Sequence, residues 1–315
     1  MRCKLAGFPA SLHPRDVAMP LSAELFLQQF ITGLSSGFVL FILASGLALI
    51  FSVLGVLNFA HGSFYMVGAF MASTIVGLLA KTGVSFWPAL VFGPFVIAIL
   101  GGVTEIVLLR RLYVRGLLYQ LLLTYGLILV FLDVTKAVWG PRPRTIPRPF
   151  GLEGWVSFGG ANFPSYSLFL VVMGVLIYFL LGGILKRTQL GLRIRAAASS
   201  GEMVSALGIN TPRLFSLVFF IGCWLAGLAG ALAAPVGSIS LGMDASMIIK
   251  CFIVIVVGGM GSLFGALIGA LIIALVEAYA ILFFPEFSIV CIYIIMALVL
   301  LIRPWGICGK PLIER

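Results

Sequence analysis

Five charged residues stand inside stretches that are otherwise apolar: Glu105, Asp133, Lys136, Lys250 and Glu277. A charge at bilayer depth costs several kcal/mol and is a flag for function, through ion pairing or a proton relay. Position weakens the flag for some of them. Glu105 and Lys136 lie near the ends of their runs, where long side chains reach the interface. Asp133 and Lys136 are three apart and can pair on one helix face. Lys250 is near the outer end of its run. Glu277 is the deepest and is read as unpaired. A proton-coupled carrier needs a chain of such groups, so a role in helix packing is the better reading for Glu277.

A second set is polar without being charged. Asn58, His61, Gly62, Ser63 and Tyr65 occur together in NFAHGSFY, which interrupts an apolar region. They are candidates for lining a translocation path. The plainer reading is an ordinary turn between two helices.

Catalytic constellations are missing. The chain has no HExxH, no GxSxG and no paired carboxylate set. It also has no GxxxxGK[ST] loop to cradle nucleotide phosphates, so any ATP must be bound by another polypeptide. Cys3, Cys223, Cys251, Cys291 and Cys308 form no CxxC pair and read as small core residues without a disulfide or metal role. His13 and His61 are too few and too far apart for a metal site. No cofactor is expected.

The elements that position these residues follow from composition. The chain is 62% hydrophobic and 10% charged, with mean hydropathy +1.20. A water-exposed surface cannot be built from so few charges, so the solvent is lipid. In a soluble protein the net charge of +10 would hint at nucleic acid. Here basic residues gather in cytoplasmic loops and set orientation, and no nucleic-acid partner is implied.

The expected fold is all-α, a polytopic transmembrane bundle of about eight spans with one or two broken or re-entrant helices. The first apolar region, Phe26 to Ala80, is too long for two simple helices and too short for three. Runs follow at Pro88–Leu109, Leu117–Trp139, Leu168–Leu185, Leu214–Ala234, Met247–Val257, Leu263–Phe284 and Phe287–Ile302. The stretch 140–164 carries five prolines, which mark an exposed loop. The basic loops 110–115 and 186–195 should be cytoplasmic. That puts 81–87, 140–164 and 235–245 outside and the carboxyl-terminal tail, 304–315, inside. Arg142, Arg144 and Arg148 then break the positive-inside pattern. If Phe26–Ala80 crosses twice, the amino terminus is outside; if once, with a half-span at NFAHGS, it is inside, which Arg2, Lys4 and Arg15 favour. Residues 1–20 lack the apolar core of a signal peptide and read as a disordered extension before a permease domain at 21–303.

One polar insert, Gly191–Arg213, lies inside the loop 186–213. Within it EMVSAL has helix-forming character. Ser199 or Ser200 can cap the helix, Glu202 sits in its first turn, and Gly208 suits its end. Asn210, Thr211 and Pro212 then stop the segment. Met203, Val204, Leu207 and Ile209 would be exposed apolar residues that dock into a partner's groove, or else lie on the membrane surface. Gly261, Gly265 and Gly269 at i, i+4 and i+8 form a small-residue stripe for tight helix packing. GGMGS, 258–262, ends one short helix and begins another.

GLALIFSVLGVLNFAHGSFYMVGAF, GLRIRAAASSGEMVSALGIN, FIGCWLAGLAGALAAP and FIVIVVGGMGSLFGALIGALIIALVEAY resemble, in order, segments of the LivH-type permeases of ABC importers for branched-chain amino acids. The resemblance spans roughly residues 20 to 303. It implies a bacterial inner-membrane importer with a second homologous permease chain, two ABC ATPase subunits and a periplasmic substrate-binding protein. It also implies that Glu202, Met203, Ala206, Leu207, Gly208 and Ile209 belong to a helix that couples to the ATPase. Ser199, Ser200 and Gly201 depart from the more polar residues usual there. The same pattern serves permeases for urea and short amides, so cargo stays open. A self-sufficient ion-coupled carrier drawing on Glu277 or Asp133 is the alternative from another class.

Overall fold

The computed structural model describes residues 23–80, 85–113, 115–158 and 161–309. The proposed disorder of 1–20 and the basic residues Lys310 and Arg315 lie outside the described residues. Among the described residues there are eleven α-helices. They are α1 Ala23–Leu54, α2 His61–Leu78, α3 Phe86–Val107, α4 Leu117–Trp139, α5 Ser165–Arg187, α6 Gln189–Ser199, α7 Gly201–Ala206, α8 Thr211–Ala233, α9 Met243–Gly258, α10 Leu263–Phe283 and α11 Ser288–Ile302. Eight helical segments are long and apolar enough to cross a membrane. The chain is therefore a multi-pass helical membrane protein. α9 is too short for that set, but its neighbours place it in the bundle as well.

Burial separates centre from rim. In α1 the most apolar window is 78% buried, whereas in α11 it is 6%. α1, α2, α3, α8, α9 and α10 form the centre. α8 is built from LAGLAGALA, so backbones close on it from several sides. A Cβ at Gly227 would stand 2.8 Å from Ile97 Cβ of α3, and one at Gly68 of α2 would stand 2.7 Å from Gly227 Cα. Lipid gives no hydrophobic drive between helices, so this close approach supplies dispersion contacts instead.

The path of the chain corrects the expectation for the amino-terminal side. Gln28 Nε2 at the start of α1 donates to the Asn162 carbonyl, so α1 begins at the face that carries 140–164. Ser52, near its other end, meets Gly261. The chain crosses twice between 23 and 80, and α1 starts on the face opposite the basic loops. The expectation drawn from Arg2, Lys4 and Arg15 fails because contacts along the 32-residue α1, from Gln28 to Ser52, set the face on which it starts.

The loop 140–164 holds a two-stranded antiparallel hairpin, β1 Trp155–Phe158 and β2 Ala161–Pro164. Its arginines have local work. Arg144 exchanges both backbone hydrogen bonds with Ile239, at 2.9 and 2.8 Å, and its guanidinium donates to the Trp139 carbonyl at the end of α4. Arg148 lies over the Trp155 ring. These contacts give Arg144 and Arg148 local partners on the face where the positive-inside pattern does not expect basic residues.

Candidate functional site

Gly55, at φ 67, ends α1. The chain then turns back into the bundle through 55–58, which have no regular structure, and a turn at 59–60, because α2 does not start at the level of Leu54. His61, its first residue, sets Nε2 3.1 Å from the Leu43 carbonyl. Leu43 lies eleven residues (43 to 54) before the end of α1, about 16 Å of helical rise. The six residues 55–60 span at most about 20 Å when fully extended, so even with the turn at 59–60 they and the His61 side chain cover that rise. Irregular backbone at membrane depth survives only where protein or a water-filled cavity covers it, and Val56, Asn58 and Ala60 are all fully buried.

This broken start meets the start of α9. Ser63 Oγ donates to Asp244 Oδ2 at 2.9 Å. A Cβ at Gly62 would stand 2.6 Å from the Asp244 carbonyl oxygen. The rings of Phe59 and Phe252 pack 4.7 Å apart. Asp244 is 3% exposed; sequence reading missed it because it lies beside a loop, at the first turn of a short helix. Since a carbonyl can only accept, Nε2 of His61 carries the proton and Nδ1 is left an acceptor. That Nδ1 and both polar atoms of the Asn58 amide are buried without a partner. Gly62 and Ser63, with Asn58 and His61, thus form a polar island at depth. Tyr65, 1% exposed, lies one turn on, beside Lys250 and Glu277.

The intramembrane charges sort differently from expectation. Among the described residues the ion pairs are Arg110–Glu105 and Lys250–Glu277. Glu277 is therefore paired, by a residue 27 positions away, where sequence had it alone. Asp133 and Lys136 make no ion pair and are both exposed on α4.

At the basic face, α6 and α7 form the insert. Sequence placed one helix at about 200–208; the structure has two. Thr188 caps α6 through the Gly191 amide. Ser200 caps α7 by accepting from Met203 N. α7 is closed by Gly208 N to Ser205 O and Ile209 N to Val204 O, with Gly208 at φ 79. This is the Schellman pattern, in which a left-handed glycine lets two terminal carbonyls be satisfied. Asn210 caps α8 through the Arg213 amide and Pro212 fits its first turn, so these residues start a helix as well as ending the insert.

The apolar residues of α7 point two ways, which corrects the expectation that all four are exposed. Val204 is 3% exposed and Ile209 is half-buried; they pack with Val53, Ile194, Leu214 and Val218. Met203 and Leu207, four apart, face out at 66% and 75% exposure, with Glu202, Ala206 and Gly208 also exposed. α7 is thus fastened inward to the transmembrane helices and presents an apolar outer face.

A buried carboxylate anchors the base of α8. Glu105, fully buried, accepts from Arg110 through both oxygens, from Tyr113 at 2.9 Å and from Ser216 at 2.6 Å. Burial, then the Glu105 charge, pushes the Tyr113 hydroxyl well above its ordinary range, so it stays a donor.

The glycine stripe also resolves. Gly261, at φ 82, sits in the turn before α10 and is not part of the helical face. Gly265 and Gly269 do face α9, where a Cβ at Gly269 would stand 2.7 Å from the Val254 carbonyl oxygen. The carbonyls of Val257 and Gly258 at the end of α9 accept from Ile307 and Cys308 of the tail.

Comparison with known proteins adds the following. Residues 29–300 match the family model described as branched-chain amino acid transport system / permease component. The chain is 31% identical over 300 residues to the high-affinity branched-chain amino acid transport system permease protein BraD of Pseudomonas aeruginosa, covering 92% of this chain and 98% of that one. It is 32% identical over 303 residues to the corresponding permease LivH of Escherichia coli strain K12, covering 92% and 97%. To LivM of the same strain it is 28% identical over 291 residues, covering 84% and 67%. No solved structure matches.

Proposed function

The chain belongs to the branched-chain amino acid transport permease family and is a membrane-spanning permease subunit of an ABC importer; from that premise we propose that its cargo is a branched-chain amino acid and that α7 is where ATP energy enters. The membrane is the bacterial inner membrane. The partners are a second homologous permease chain, two ATPase subunits and a periplasmic binding protein that delivers the substrate. This chain performs no catalysis itself.

The observation that carries the mechanism is the two-sided α7. Its outer face, Glu202, Met203 and Leu207, offers an apolar knob on a base fixed by caps at both ends. Helix-in-groove docking uses such i, i+4 anchors. Its inner face, Val204 and Ile209, packs on the ends of α1 and α8. A push on α7 is therefore delivered to α8, which the Glu105 cluster ties to α3. Motion at α7 then shifts the central helices against one another and opens the path inward. Asn58, His61, Gly62, Ser63 and Tyr65 lie along that path.

The carrier alternative loses Glu277, which is paired, and keeps Asp133, which is exposed on the outer helix α4. The test is a whole importer carrying E202R/L207R in this chain. Membrane insertion should be retained and ATP hydrolysis uncoupled from uptake. Normal uptake of radiolabelled L-leucine by that variant would sink the coupling role, and uptake of urea without L-leucine by the wild type would sink the cargo.

A further inference from the structure

Lys250 of α9 and Glu277 of α10 approach to 2.5 Å, with side chains 23% and 25% exposed. They line a cavity of ≈ 40 Å³ together with Val39, Leu40 and Leu43 of α1, Tyr65 of α2 and Met247 of α9. Four helices of the bundle centre meet there. The space holds about two or three water molecules and no amino acid.

An ion pair is not needed to fill this packing volume. Replacing a buried ion pair with apolar groups of similar volume is often neutral or stabilising. The pair is the charged element in a wall that is otherwise mostly aliphatic. Its two charges have opposite sign, touch each other, and belong to different helices. Whatever enters between them must offer an anion to Lys250 and a cation to Glu277. An α-amino acid zwitterion offers both from one carbon atom; a neutral amide offers neither.

The geometry points to the Lys250–Glu277 pair as an internal stand-in for a zwitterionic amino acid with an aliphatic side chain. As α9 and α10 part, the α-carboxylate takes Lys250 and the α-ammonium takes Glu277. The side chain lies against Leu40, Leu43 and Met247. One ion pair is exchanged for two, so neither protein charge is left bare in the membrane, which would cost several kcal/mol. Re-formation of the pair expels the substrate. The inference rests on the amino-acid cargo proposed above and names a site for it.

The test uses the whole importer in proteoliposomes, with its binding protein and radiolabelled L-leucine. K250M/E277L keeps the packing volume and removes both charges. Uptake should fall roughly tenfold or more, with assembly checked by co-purification of the ATPase subunits. An assembled double variant that transports like wild type overturns the inference, because that is what a merely structural pair predicts. If the double variant does not assemble, K250E/E277K decides, since it retains an ion pair between α9 and α10. The walls fix where the aliphatic side chain lies, so reversed charges should again lower uptake roughly tenfold. Wild-type uptake by the swapped pair, or failure of the swap to assemble, assigns the pair to packing and overturns the inference. A wild-type importer that takes up no L-leucine brings down the cargo reading as well, whereas wild-type uptake with indifferent variants sinks only the site.

Discussion

Ser63 on α2 and Asp244 on α9, 181 positions apart, share a hydrogen bond of 2.9 Å where two helices begin. Asp244 is buried, and Ser63 is the side chain that donates to its carboxylate. The bond fixes where α2 starts after the irregular stretch 55–60. It therefore fixes where Asn58 and His61 are held.

S63A should destabilise the assembled protein by about 1–3 kcal/mol, the cost of leaving a buried acceptor unsatisfied. S63T should restore most of it. Thermal unfolding of the purified complex checks this; an S63A midpoint equal to that of wild type would remove the bond from the account.

Gly62 tests the same junction sterically. A Cβ there meets backbone, the Asp244 carbonyl, and not the end of a flexible side chain. G62V should separate α2 from α9 and lose about 1–3 kcal/mol by overpacking, with G62A less severe. Yield and unfolding midpoint in detergent give the readout.

The two faces of α7 should respond oppositely. V204A removes a buried side chain shared with Val53, Leu214 and Val218 and should cost about 1–3 kcal/mol of stability. L207A, on the exposed face, should change stability by less than about 0.5 kcal/mol while lowering ATP-driven uptake. Equal stability losses in the two variants would contradict the two-sided arrangement.

At the base of α8, E105A strips Arg110, Tyr113 and Ser216 of their common acceptor. It should destabilise more than E105Q, which keeps the side-chain volume and one oxygen as acceptor, for either Tyr113 or Ser216. Tyr113 adds a pH signature. Its hydroxyl is held above the ordinary value in the folded protein, so its contribution is complete below the unfolded value of about 10 and declines as pH rises past it. Y113F should show a shallower alkaline loss of stability than wild type. Parallel curves would refute the assignment.

Part of this site was legible beforehand because it is local. The caps of α7 come from Ser200, the residue just before its start, and from Gly208, whose left-handed conformation a β-carbon disfavours. NFAHGSFY stood out because polar residues break an apolar run. The pairing of Glu277 was not legible: Lys250 lies on another helix, across a turn of four residues, and nothing in hydropathy links them. Nor was the direction of Val204 and Ile209. An amphipathic helix has a face, but only the neighbours Val53 and Val218 say which way it turns.

By itself, then, the sequence determined what local chemistry determines. Too few charges for a water-facing surface put the chain in lipid. Apolar run lengths set the number of spans, basic clusters set which loops share a side, and the missing phosphate loop raised the expectation that a partner chain binds ATP. The tertiary structure decided what depends on contact between distant residues. It set the side on which α1 begins, the depth at which α2 starts, and the meeting of Ser63 with Asp244. It also set the union of Lys250 with Glu277. Periodicity and hydropathy report each helix's preference for lipid or protein, whereas these contacts depend on how close small residues such as Gly62, Gly68 and Gly227 let the backbones come.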